Sequence, residues 1–139
     1  MVHPEGRPMA AQKGSTRLAA TIASVFMALL FLFAGGGKLT GGQSHAEQFV
    51  HWGYPVWFMY VVGTIEVGGA LALLIPAARF WGALLLACDM AGAVVTHLRA
   101  SETMMVPFPA MFLLSAVLIA WVTRPAASEG VETRRESSP

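Results

Sequence analysis

Charge is scarce in this sequence. Of its 139 residues only 12% are Asp, Glu, Lys or Arg, about half the share of an ordinary soluble domain. A small fold has much surface for its volume, so it could not hide in water the 55% of residues that are hydrophobic. Lipid is therefore the expected solvent. Cysteine is nearly absent too. The single Cys88 excludes an intramolecular disulfide and a Cys-x-x-Cys redox centre, so thiol chemistry would need a second sulfur from a partner. There is no basic stripe with interleaved stacking residues, which argues against nucleic acid. There is no ten-residue alternation of polar and apolar positions, which argues against membrane strands.

What is present is a set of four apolar runs, at about residues 18–34, 56–75, 80–98 and 106–122. Each is about 17 to 20 residues, enough for a helix to cross the hydrocarbon, and backbone in lipid must bond internally. The expected fold is an all-α integral membrane four-helix bundle, up-and-down. Residues 18–123 would form the membrane domain, residues 1–17 a basic cytoplasmic tail and residues 124–139 a disordered cytoplasmic tail. Residues 35–54 read as a long polar connection, and residues 76–79 as a tight hairpin opened by Pro76. Arg7, Lys13, Arg17, Arg79, Arg124, Arg134 and Arg135 fall on one side of this topology and only Lys38 and Arg99 on the other, which places both termini inside. Trp52, Tyr54 and Trp57 would mark the outer interface. The first run is longer than the usual apolar core of a signal peptide and is expected to be retained as a helix.

Two acids lie within the apolar runs. Glu66 and Asp89 each stand about eleven residues from the centre of the hairpin, roughly 17 Å along a helix, so antiparallel neighbours place both near the bilayer midplane. An acid there is costly in contact with lipid and should point inward. Two carboxyls so placed can share a proton and handle protons or a polar ligand; otherwise they form an interhelical hydrogen bond that only fixes packing. Gly63, Gly69 and Ala70 share the Glu66 face and would let another helix approach, while Ala83, Ala87 and Ala91 form a second small-residue stripe. His97, two turns beyond Asp89, could relay protons or cap a ligand pocket. Lys38 can reach the same mouth or simply snorkel to the interface. No metal site is expected, because too few ligands converge. No covalent or motif-bound cofactor is expected either: His97 alone among the histidines lies in a helix, too few for bis-histidine haem.

The chain resembles the DoxX-like family of small four-helix bacterial membrane proteins. The matching segments are Phe33-Ala34-Gly35 with Lys38-Leu39, Gly53-Tyr54-Pro55, Gly63-Thr64-Ile65-Glu66-Val67-Gly68-Gly69-Ala70 and Leu73-Leu74-Ile75-Pro76. Arg79, Gly82-Ala83, Met90, Gly92-Ala93 and Thr96-His97 continue the series. The resemblance covers about Leu18 to Thr123. It implies a multi-pass protein of the bacterial inner membrane, in a DoxX/DoxD group linked to quinone-dependent sulfur oxidation and to other oxidoreductase systems. It carries no catalytic motif onto Glu66 or Asp89. The expected function is an accessory, redox-associated membrane subunit rather than a stand-alone enzyme. It would bind a quinone or other lipophilic molecule near the two acids, in lipid, beside an oxidoreductase partner, with self-association open. The alternatives are a proton-coupled transporter or permeability factor, and a structural anchor or assembly factor without chemistry.

Overall fold

The computed structural model describes residues 9–125, with side chains from Gly14 onward. The start of the N-terminal tail and nearly all of the expected disordered C-terminal tail lie outside these. Five helices follow one another: α1 Met9–Leu39, α2 Gln43–His51, α3 Val56–Leu74, α4 Arg79–Arg99 and α5 Pro107–Thr123. Among the described residues there is no strand. Gly14–Leu39, Val56–Leu74 and Arg79–Arg99 are long and apolar enough to cross a membrane, and Pro107–Thr123 is a shorter apolar helix. Only about a third of each long span is buried inside the protein. Phe26, Phe33, Trp57, Trp81, Leu114 and Trp121 all turn outward. So much exposed apolar surface is compatible with lipid against it.

The turns follow local chemistry. Gly41, at φ 72°, ends α1 in the left-handed conformation. A side chain there would also meet the Tyr60 hydroxyl. Gly53, at φ 82°, does the same after α2. Pro76 follows the end of α3, and Pro107 opens α5 where its missing N–H costs nothing.

Two expectations about the chain path are corrected. The helix α1 is far longer than residues 18–34. It starts at Met9, within the expected tail, because no proline interrupts residues 9–39. It also runs through the glycine triplet at 35–37. The long polar connection in turn contains α2, a short helix that is not apolar enough for a hydropathy reading to register.

The four apolar helices close a ring of neighbours: α1 on α3, α3 on α4, α4 on α5, and α5 back on α1. Met27, Phe31, Leu73, Leu86, Met90 and Ile119 fill the centre. Glycines set the two closest crossings. Gly35 of α1 and Gly63 of α3 face each other, and a Cβ on either would lie 2.8–3.0 Å from the other's carbonyl oxygen. Gly69 of α3 takes the Leu86 side chain, and a Cβ on Gly82 of α4 would stand 2.7 Å from the Gly69 carbonyl oxygen. Gly63, Gly69, Ala70, Ala83 and Ala87 are all buried, as their stripes require. Ala91 is not; it is exposed. From Ala83 a seven-residue step to Met90 returns within about 20° of the same face, whereas the eight-residue step to Ala91 turns about 80° away. The stripe therefore continues through Met90.

Arg79 is buried rather than free at the hairpin. Its Nε donates to the Leu73 carbonyl at 3.0 Å and its guanidinium to the Thr21 hydroxyl at 3.0 Å. It thus ties the ends of α3 and α4 to α1.

Candidate functional site

The Gly35–Gly63 crossing brings two charges together. Lys38 and Glu66 each stand three residues past their glycine, one turn further along α1 and α3. The Lys38 ammonium donates to both Glu66 oxygens, at 2.9 and 2.7 Å. The pair is withdrawn from solvent, with side chains 15% and 4% exposed. Lys38 is therefore not a snorkelling interfacial lysine but half of an interhelical ion pair.

Above this pair lies a cavity of about 520 Å³. Its polar end is Lys38, Glu66 and Asp89. Its upper wall is aromatic: Phe49, Trp52, Tyr54 and Phe58. These rings interlock, with Phe49 centred 5.4 Å from Trp52, 6.3 Å from Tyr54 and 6.2 Å from Phe58. Val62, Ile65, Leu85 and Met90 add aliphatic surface, and Thr96 and His97 complete the outer end, meaning the end away from the 76–79 turn. The volume suits a small organic molecule, and the pattern of apolar walls with a few convergent polar groups is that of a ligand pocket.

Glu66 and Asp89 line the same cavity but are not the mutually bonded pair that the sequence suggests. Glu66 gives both oxygens to Lys38, whereas Asp89 Oδ2 is buried without a hydrogen-bond partner among the described residues. Sequence reasoning placed the two acids by depth and could not see that α1 supplies a cation to Glu66.

The outer end is held by a polar clasp. Glu102, in the loop between α4 and α5, accepts from the Trp52 indole N–H at 3.1 Å. It also meets His97 Nδ1 at 2.7 Å and His51 Nε2 at 3.3 Å. The Tyr54 hydroxyl bonds the Thr96 hydroxyl at 3.0 Å, and the Trp52 and His97 rings pack edge to face. The Trp52 indole N–H, and then His97, hold the Glu102 carboxyl below the usual carboxylate range. A carboxyl lowered in this way adds stability above its unfolded value, about 4.3, and loses that contribution as pH falls through its lower folded value. The melting-temperature difference between wild type and Glu102→Gln is therefore expected to shrink as pH falls below about 4.3. Melting curves in detergent at stepped pH read it. A difference that stays constant through that window would mean the carboxylate contributes nothing to the clasp.

A sequence model of the DoxX-like family matches residues 22–119. The chain belongs to the DoxX-like family. The stretch includes Lys38, Glu66, Asp89, His97 and Glu102, so the whole cavity lies within the shared domain. This DoxX-like protein is also similar to the uncharacterized protein YdgD of Bacillus subtilis strain 168, with 33% identity over 94 residues, covering 61% of this chain and 80% of that one. No solved structure matches it.

In this DoxX-like fold all four residues singled out in the sequence as ligand or proton candidates line one cavity. Sequence reasoning missed Trp52, Tyr54 and Glu102. It read the two aromatics as an interfacial belt, but both are half-buried in the cavity wall and only Trp57 faces outward. It also missed His45 of α2, whose Nδ1 is buried without a partner among the described residues and whose ring packs on Gly37. The one available signal was the density of aromatics and histidines in a segment otherwise read as a loop. Among the described residues no three His, Cys, Asp or Glu side chains are placed to hold a metal ion.

Proposed function

We propose that this DoxX-like protein is a four-span subunit of a bacterial inner membrane, with both termini in the cytoplasm. It binds a lipophilic small molecule with a quinone-like polar head in the cavity between α1, α3 and α4. It works beside an oxidoreductase that carries the redox centres. Cytoplasmic termini rest on the Lys and Arg distribution. The observation that carries the binding reading is Asp89 Oδ2, a buried acceptor without a partner among the described residues, at the polar end of an aromatic-walled cavity. A buried polar atom without a partner costs stability, and a donor on a bound molecule would satisfy it.

The residues fit a flat ring bearing oxygens. Asp89 can accept a proton from a ring hydroxyl or return one to a ring oxygen. The Lys38 ammonium has three donors and spends two contacts on Glu66, which leaves one for an acceptor. Phe49, Trp52, Tyr54 and Phe58 offer faces and edges for stacking. Asp89, with a proton exchange site but no bonded partner, is the group that would hold or move a proton as the head changes redox state.

The test separates binding from folding. Asp89→Leu removes an unsatisfied oxygen, so it is expected to leave the melting temperature in detergent unchanged or raised. The same change should weaken binding of a decyl-tailed benzoquinone, read by quenching of tryptophan fluorescence in nanodiscs. A lost hydrogen bond to a charged group corresponds to about 1.5–3 kcal/mol, roughly a ten- to hundred-fold rise in Kd. A destabilised variant that still binds the quinone would assign Asp89 to packing and leave the anchor reading in place.

A further inference from the structure

We infer that the cavity takes its ligand sideways from the bilayer, through an opening between α3 and α4, while its outer end is shut against water. The inference rests on the reading that the cavity binds a lipophile, and it names the class: a molecule dissolved in the membrane, with a compact polar head and a flexible apolar tail.

Four observations carry it. First, the α4 side of the cavity is formed partly by exposed residues, with Leu85 42% exposed and Cys88 and Gly92 also open. They lie about 9, 14 and 20 Å along a helix roughly 30 Å long. An opening at that height meets hydrocarbon rather than water. Second, the same two helices are pinned together nearer the hairpin than Cys88 and Gly92, where Gly69 receives Leu86 and Gly82 touches the α3 backbone. A Cβ added at Gly92 would meet nothing within 4 Å. Gly92 thus has open space beside it above the crossing and would form the sill of the opening. Third, the residues facing it from α3 are Phe58, Val62 and Ile65, all half-buried and apolar. An aliphatic tail lying between the helices would meet no charge there. Fourth, the outer end is closed by side chains. Trp52 and His97 line this cavity and also a second hollow that Gln48, Glu102, Met104 and Met105 complete. The two rings are therefore the partition between the cavity and the outer surface, and Glu102 holds both.

The arrangement gives each part a role. The head reaches Asp89 and the Lys38–Glu66 pair, the tail lies along Val62 and Ile65 and leaves past Gly92, and the clasp keeps water from the polar end. A water-soluble solute would need the opposite design, with an open outer end and a sealed flank.

Two measurements decide it. Cys88 is the chain's single cysteine, so a nitroxide can be attached without other changes. In nanodiscs its relaxation should be enhanced more by oxygen, which concentrates in lipid, than by a water-soluble nickel chelate; stronger enhancement by nickel would place the opening in water and overturn the proposal. The second is the rate at which the decyl-tailed benzoquinone quenches tryptophan fluorescence. Gly92→Leu, which has room to fold, should slow both association and release several-fold, and by more than Glu102→Gln changes either. The reverse, with Glu102→Gln fast and Gly92→Leu unchanged, would route the ligand through the clasp and overturn the portal while the binding reading survived. Absence of saturable quenching in wild type would remove the binding reading and the portal with it.

Discussion

Lys38→Met is expected to cost about 3–5 kcal/mol of stability, the typical result of removing one partner from a buried ion pair. Glu66 would be left with both oxygens stripped of their donor in a site where its side chain is only 4% exposed. Glu66→Met should cost a comparable amount, because an ammonium would then be stranded between α1 and α3. The double variant should recover most of the loss, since replacing both charges by apolar side chains is often neutral. Detergent melting of the three variants reads this cycle. Additive losses in the double variant would mean that the two charges do not depend on each other.

Gly82→Leu is the second large effect. Its Cβ would lie 2.7 Å from the Gly69 carbonyl oxygen and 2.9 Å from the Leu73 backbone nitrogen. Backbone cannot swing aside as the end of a flexible side chain can, so α3 and α4 must separate. Overpacking costs about 1–3 kcal/mol in ordinary cores and more where nothing can yield. The loss should exceed that of Gly69→Leu, which meets the mobile Leu86 side chain, and that of Leu118→Ala, whose residue is 52% exposed. A Gly82→Leu protein that melts like wild type would mean the α3–α4 crossing is looser than the geometry implies.

Much of this architecture is legible in the residues, and the reasons are physical. Lipid demands long uninterrupted apolar runs, so three long spans and the shorter α5 stand out by composition. The cost of an acid in hydrocarbon makes Glu66 and Asp89 conspicuous, and the symmetry of the 76–79 turn sets their common depth. Gly63 and Gly69 are readable because they share the Glu66 face. What is hidden is whatever depends on contacts between distant segments. Nothing local says that Gly35, in a triplet that reads as a helix end, is helical because Gly63 packs on it, and that pairing is what delivers Lys38 to Glu66. Nothing in the polar stretch 43–51 says that it folds as α2 and turns Phe49 inward. Glu102, a lone acid in a short loop, gains its importance only from Trp52 and His97, fifty and five residues away. Ala91 misled because a four-residue stripe drifts around a helix, while the buried face here keeps a seven-residue step through Ala83 and Met90.

The central claim is that the space beneath the aromatic wall is a ligand site. Native mass spectrometry in mild detergent tests it most directly, comparing wild type with Val62→Trp, in which an indole occupies the cavity from the half-buried position on α3. The account predicts that wild type carries a co-purified apolar adduct, or takes up the decyl-tailed benzoquinone at one equivalent per chain, and that Val62→Trp folds and carries neither. Equal uptake by the two proteins would contradict it.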